Sequence, residues 1–245
     1  MNEEKFSGKA EHYDRYRPSY PDGLIDWLYE KTRAEAVADI GAGTGKLTSC
    51  LAKKPWRVTA VEPNADMLAR LKENVPEARI IQASAEHTGI EANSVGLVTV
   101  AQAFHWFDER AFREECIRIL TPRGRLSILW NERTECALSR ERDEICARFC
   151  EKELMDATRK LSSDVLDRFL REEYFSSVEY FCAENPIRMD RDRFLGDMLS
   201  RSYSLKEGDP NYSRFIGALD GAFAKYERNG IVEIPYRTFC YLGRL

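Results

Sequence analysis

Val37-Ala38-Asp39-Ile40-Gly41-Ala42-Gly43-Thr44-Gly45-Lys46 is the stretch on which the fold turns. A short apolar run ends in three alternating glycines and passes into Lys46 to Lys54, a segment with helical spacing. Glycines suit a loop that turns tightly, visits positive φ and lets a ligand approach the backbone with no Cβ in the way. Two phosphate-binding motifs can be tested by position. A dinucleotide fingerprint needs glycine where Lys46 stands, and a P-loop needs glycine at Ile40 and Ser or Thr at Leu47. Both tests fail. The pattern that fits is Asp-x-Gly-x-Gly-x-Gly, followed 21 residues after Gly41 by Glu62. A carboxylate at the end of the next strand can accept both hydroxyl protons of an adenosine ribose.

Outward from this loop, the first half of the chain alternates short apolar or β-branched runs with amphipathic stretches. Ala36 to Ile40, Arg57 to Val61, Arg79 to Ile81, Val95 to Ala101 and Arg125 to Trp130 read as strands. Between them, Lys46 to Lys54, Ala65 to Asn74 behind an Asn64 cap, and Glu109 to Leu120 behind an Asp108 cap read as helices. This alternation predicts an α/β fold, a Rossmann-like, doubly wound, mostly parallel sheet with helices on both faces. From Glu135 to Arg171 the spacing stays helical with no strand between, so a helical insertion is expected after the fifth strand. A sixth strand is expected at Val178 to Cys182, helices around Asp190 to Tyr203 and Tyr212 to Arg228, and a seventh strand at Ile231 to Leu242. The expected organisation is a single domain over residues 1–245: a cap segment at 1–34, the core at 35–133, the insertion at 134–176, and 177–245 completing the sheet.

Whole-chain composition narrows the class. The chain has 245 residues, 37 Lys plus Arg against 41 Asp plus Glu, a net charge of −4 and a mean hydropathy of −0.50. No window approaches the roughly 18 uninterrupted apolar residues of a membrane span, so no membrane association is expected. The start, Met-Asn-Glu-Glu-Lys, is acidic and has no apolar signal core, which predicts a cytoplasmic address. Mild acidity disfavours a dedicated nucleic-acid binder, which usually carries a basic stripe. The seven cysteines include no Cys-x-x-Cys, so neither a disulfide framework nor a metal site is expected. Cys146 and Cys150, four apart in a helical stretch, read as small buried apolar residues.

On Asp39, the three glycines and Glu62, the chain resembles the class I S-adenosylmethionine-dependent methyltransferases of type 11. The resemblance implies S-adenosyl-L-methionine as cofactor, with the glycine loop against its methionine part, Glu62 on the ribose and Ala83-Ser84-Ala85-Glu86 at the adenine edge. The cofactor-binding residues it implies are Tyr13, Arg17, Asp39, Gly41, Ala42, Gly43, Gly45, Glu62, Pro63, Met67, Ala85, Glu86, Ala101 and Gln102. Three further blocks, residues 6–21, Ala101-Gln102-Ala103-Phe104-His105-Trp106-Phe107 and Ile234-Pro235-Tyr236-Arg237-Thr238, look like the small-molecule branch related to trans-aconitate methyltransferase. A monomer or homodimer acting on a small molecule is the corresponding expectation.

In an open α/β sheet, ligands lie beyond the carboxyl ends of the strands. That edge here presents Gly41 to Gly45, Glu62, Ala101 to Trp106 and Trp130-Asn131-Glu132-Arg133. The family's nucleic-acid and amine methylators carry Asp/Asn-Pro-Pro-Tyr/Phe after the fourth strand to grip a flipped base or amine. Gln102-Ala103-Phe104-His105 stands there instead, which disfavours a DNA target. A carboxylate acceptor is already ionised at neutral pH and needs only orientation and a cation such as Arg17 or Arg133. A hydroxyl or acidic carbon on a quinone, phenol or natural product needs a base, and His105 is the candidate catalytic residue. Its alternative is a ring packed between Phe104 and Trp106, and His12 and His87 are weaker candidates. Tyr20, Trp106, Arg133 and Tyr203 are the candidate acceptor-binding residues, with Tyr16 and Tyr20 otherwise anchoring the N-terminal segment. Outside enzyme chemistry, the alternative is a non-catalytic S-adenosylmethionine-binding protein.

Overall fold

The computed structural model describes residues 14, 17–150, 163–201 and 203–245. Tyr13, Tyr16, His12, most of the 6–21 block and residues 151–162 of the expected insertion lie outside the described residues.

Seven strands form one sheet. They are β1 (Ala36–Ile40), β2 (Arg57–Val61), β3 (Arg79–Ile81), β4 (Val95–Ala101), β5 (Leu120–Arg133), β6 (Ser177–Glu184) and β9 (Tyr236–Arg244), in the order β3-β2-β1-β4-β5-β9-β6. The first five run parallel, and β9 pairs antiparallel with both β5 and β6. The chain winds outward from β1 to β3 and then returns to place β4 on the other side of β1, so the crevice of this sheet opens at the carboxyl ends of β1 and β4.

The helices cover both faces because each carries one apolar stripe. On one face, Leu24, Ile25 and Leu28 of α1 (Asp22–Thr32) and Leu47 and Leu51 of α2 (Lys46–Leu51) pack with Val37, Val58 and Leu97. On the other, Phe112, Cys116 and Ile119 of α4 (Glu109–Ile119) and Leu166 of α6 (Ser163–Phe169) pack with Ile40, Val98 and Ile128. Helix α3 (Ala65–Asn74) lays Leu71 and the following Val75 on Ala60 of β2. Each such side chain contributes on the order of 1.5–3 kcal/mol when fully buried. Asn64 and Asp108 cap α3 and α4 as expected, accepting from Met67 N–H and Ala111 N–H, both at 3.0 Å.

The last third departs from expectation in one respect. Ile231 to Leu242 is two strands and not one. Val232–Ile234 forms β8, which pairs with β7 (Ile187–Met189) in a separate two-stranded ribbon, and Tyr236–Arg244 belongs to the main sheet. Pro235 stands at the break, where it has no N–H to donate to a continuous ladder. The ribbon joins α5 (Ala137–Phe149), α7 (Arg191–Leu199) and α8 (Tyr212–Tyr226) around a second core that includes Leu138, Met189, Phe194, Phe215 and Ile234. Asp190 caps α7 through Arg193 N–H at 2.8 Å. Cys146 and Cys150 are buried in this second core, as the sequence suggests.

Candidate functional site

The glycine loop leaves β1 at the crevice, and its backbone amides are spent inside the protein. Gly41 and Ala42 N–H both donate to Val61 O at 2.9 and 3.0 Å, and Gly45 N–H donates to Ala42 O at 3.0 Å. Gly43 N–H donates to Glu62 Oε2 at 2.8 Å, while Asn64 N–H donates to Glu62 Oε1 at 2.9 Å. A phosphate-binding loop works by aiming free amides at an anion. Here those four amides have internal partners and a carboxylate faces the loop, so the geometry repels a phosphate.

The same bonds make Glu62 a ribose acceptor held in advance. Each carboxylate oxygen accepts one backbone N–H, so both are oriented at the carboxyl end of β2 beside the loop. Held at both oxygens and 7% exposed, the side chain has little rotamer freedom left to lose on binding a ligand.

The three glycines divide by role. A Cβ on Gly43 (φ +59°) would meet nothing within 4 Å, so this is where a ligand can pass close to the backbone. A Cβ on Gly41 would come within 2.8 Å of Ala103 Cβ, and one on Gly45 within 2.7 Å of Leu71 Cδ1. These two glycines adopt the positive φ the sequence suggested (+70° and +89°), and packing against the loop after β4 and against α3 requires them as well.

Asp39 lies beneath the loop and is 1% exposed. Its Oδ2 accepts from Thr48 Oγ1 at 2.7 Å and its Oδ1 from Thr99 Oγ1 at 3.0 Å, which ties α2 and β4 to β1. Burial pushes its pKa up to about 6, against the pull of the two threonine hydroxyls. The folded protein thus binds this proton more tightly than the unfolded chain does. The associated stability is fully present below about pH 4 and is lost as pH rises through about 6, roughly 3 kcal/mol in all. Asp39→Asn is expected to flatten unfolding free energy against pH across this window, measured by urea denaturation at pH 4 and pH 7; an unchanged slope would assign the pH dependence elsewhere.

Around the loop, Pro63 is half-buried and Met67 and Ala85 are buried. Glu86 accepts Asp108 N–H at 3.0 Å, which places the segment after β3 against the start of α4. Ala101 ends β4, and Gln102 follows at φ +59°, with its N–H on Leu129 O and its Nε2 donating to Asn131 O at 3.0 Å. Arg17 belongs to the described part of the N-terminal segment, and Lys46 reaches that segment through Asp14 at 3.3 Å.

On the acceptor side, Phe104–Trp106 forms a short 3₁₀ turn. His105 and Trp106 both keep an exposed face, and their rings pack together with centroids 4.5 Å apart. Partial burial of the His105 ring by its neighbours lowers its pKa below the ordinary histidine value. Arg133, expected as a cation for the acceptor, is ion-paired with Asp143 at 2.5 Å. Tyr20 is buried with Leu24, Leu28 and Cys50, which is the anchoring role and not the acceptor-lining one, because its ring fills the core beneath α1. Tyr203 packs half-buried against the second core.

A doubly wound sheet whose glycine loop is closed to phosphate and open to a ribose defines a nucleoside-binding α/β protein. Comparison with known proteins carries this further. Residues 38–128 match the methyltransferase domain family. An uncharacterized methyltransferase of Mycobacterium tuberculosis is 33% identical over 245 residues, covering 98% of this chain and 95% of that protein. A solved structure assigned as a type II methyltransferase, from Anaeromyxobacter dehalogenans, is similar with a TM-score of 0.66 and 26% identity, over 94% of this chain and 98% of that one. The trans-aconitate 2-methyltransferase of Afipia carboxidovorans is 34% identical over 83 residues, 32% of each protein. The chain belongs to the class I S-adenosylmethionine-dependent methyltransferases.

Proposed function

We propose that this methyltransferase acts on a small-molecule carboxylic acid in the cytoplasm, as one domain that is a monomer or homodimer. The observation that carries the cofactor half is the double anchoring of Glu62, which fixes a carboxylate at the end of β2 beside the glycine loop, where it can accept from the ribose hydroxyls. When bound, S-adenosyl-L-methionine supplies a methyl group on a positively charged sulfur, the electrophile of the reaction. Gly43 gives its methionine part passage, Ala85, Glu86, Pro63 and Met67 border the adenine, and Ala101 and Gln102 border the reacting end. Asp39 acts from below by holding the loop to β4.

The acid reading of the acceptor rests on Arg133 at the end of β5, with Arg142 and Arg201 beyond it, each paired with an aspartate, and on the partial likeness to the trans-aconitate enzyme. A carboxylate needs no base, so the protein's task is to orient it and exclude water. Trp106 supplies an exposed aromatic wall at the crevice. A second reading, transfer to a hydroxyl or carbon of a quinone, phenol or natural product, draws support from the exposed His105, whose lowered pKa keeps it neutral at pH 7. A methyl-transfer screen across acids, phenols and quinones separates the two. With an acid acceptor, kcat/KM is expected to stay flat from pH 6 to 8 and to change less than about threefold in His105→Ala. A loss of roughly 10²–10⁴-fold in that variant would instead establish His105 as the base and overturn the acid reading.

A further inference from the structure

Helix α4 holds the chain that follows β3 through one buried carboxylate. Thr88, fully buried two positions beyond Glu86, donates to Glu115 Oε1 from its backbone N–H at 2.8 Å and from its hydroxyl at 2.5 Å. Arg118, on the same face of α4, grips both oxygens, with Nε on Oε2 at 2.7 Å and Nη2 on Oε1 at 2.8 Å. Its Nη2 also donates to Ile90 O at 2.7 Å. Burial of Glu115, which is 7% exposed, would by itself raise its pKa, but Arg118 and Thr88 bring it down to about 2, so the carboxylate is ionised throughout the neutral range.

An ion pair that served α4 alone would close on itself. Here both partners also bond residues 88–90, outside the helix. Gly89, at φ +70°, lies between the two bonded residues, and a Cβ there would meet nothing within 4 Å. A glycine in open space has many conformations to choose from, so the bonds on either side of it fix the path. Upstream, Glu86 Oε1 accepts Asp108 N–H at 3.0 Å and His87 N–H donates to Ser84 O at 3.3 Å. Ala85 and Glu86 are therefore suspended between two anchors on α4, Asp108 at its cap and Glu115 near its end. This suspended segment is the adenine edge of the reading above. Adenine offers an acceptor at N1 and a donor amine at C6, whereas hypoxanthine offers a donor at N1 and an acceptor at C6. A backbone held in place discriminates between such edges, and a slack one does not. We propose that Glu115 is a positioning residue for the cofactor: through Thr88 and Arg118 it fixes Ala85 and Glu86 at the crevice and so sets the preference for adenine over a base with the opposite hydrogen-bonding edge. The proposal deepens the cofactor reading and rests on its placement of adenine at residues 83–86.

The test is calorimetric titration of the full-length protein with S-adenosylhomocysteine and with S-inosylhomocysteine, its 6-oxo analogue. Wild type is expected to prefer S-adenosylhomocysteine at least ~10-fold, the scale of one or two hydrogen bonds. In Glu115→Gln the amide keeps an oxygen for Thr88 but turns a donor toward Arg118, and the preference is expected to fall below about threefold, chiefly through weaker S-adenosylhomocysteine binding. Thr88→Val removes the hydroxyl and is expected to lower the preference in the same direction, and Thr88→Ser to restore it. A merely structural role predicts a lower melting temperature with both ligands weakened alike. An unchanged preference in Glu115→Gln, or in Thr88→Val should the glutamine variant not fold, therefore overturns the proposal. A wild type that binds both ligands equally also overturns it and leaves the cofactor reading, which Glu62 carries, intact. Failure of wild type to bind S-adenosylhomocysteine at all strikes the cofactor reading itself, and the positioning role falls with it.

Discussion

Glu62→Ala is expected to weaken S-adenosylmethionine binding by about 10²–10⁴-fold, since hydrogen bonds to a charged partner contribute roughly 1.5–3 kcal/mol each and two ribose hydroxyls lose theirs. The loss has a second source. Without the carboxylate, Gly43 N–H and Asn64 N–H lose the partners that fix the loop against β2. Glu62→Gln separates the two effects, because its single amide oxygen can still accept one backbone N–H but cannot serve both hydroxyls as a charged acceptor. Calorimetry should therefore rank the proteins wild type, Gln and Ala in affinity, with the melting temperature of the Gln variant staying nearer wild type. An alanine variant that binds within about threefold of wild type would remove Glu62 from the site.

The second large effect is a crossed pattern between two neighbouring glycines. Gly45→Ala places a methyl 2.7 Å from Leu71 Cδ1 and 3.1 Å from Val75, at φ +89°. Leu71 and Val75 are fully buried, so neither side chain has room to swing aside. Overpacking and left-handed strain together are expected to cost about 3–5 kcal/mol, or roughly 6–20 °C in Tm for a chain of this size. Gly43→Ala carries only the backbone strain, about 1–2 kcal/mol, because its Cβ meets open space. That methyl fills the passage next to Glu62, so affinity for S-adenosylmethionine should fall at least ~10-fold while Tm falls by only a few degrees. Differential scanning calorimetry with and without ligand reads both quantities. Equal destabilisation by the two substitutions, or unimpaired binding by Gly43→Ala, would refute the division of roles among the glycines.

Legibility in the sequence followed the range of the interactions. Strands β1 to β4 have the bounds their apolar runs suggest, and the Asn64 and Asp108 caps stand where local side-chain chemistry places them. Helix α1 left a readable trace in Leu24, Ile25 and Leu28, spaced on one face after Pro21, that a search for strand-helix alternation passes over. The break at Pro235 was equally local, since proline's missing donor argues against one continuous strand. What no local pattern holds is pairing at a distance. That Arg133 is taken by Asp143 and that Arg142 meets Asp197 across 55 positions depend on how the second core docks on the sheet, and that the loop amides turn to Val61 O depends on the register of β1 against β2. The glycine motif announces a nucleotide-type loop; only the destinations of its N–H groups say that phosphate is unwelcome.

The way the chain leaves and rejoins the sheet has a consequence for how such a protein changes its chemistry. The chain passes between the sheet and the second core at three adjacent strand ends, after β5, after β6 and before β9, and once more between α5 and α6, which packs on the sheet. Thr134 N–H bonds Pro235 O and Asn185 N–H bonds Tyr236 O across these ends. The seven-stranded ladder is hydrogen-bonded without the helices beyond them. The α5, α7, α8 and ribbon assembly is therefore an exchangeable cassette with four junctions, three of them at strand ends. A different one spliced in at Thr134, Asn185, Pro235 and the connection from α5 to α6 retunes the acceptor while the glycine loop and Glu62 are inherited unaltered.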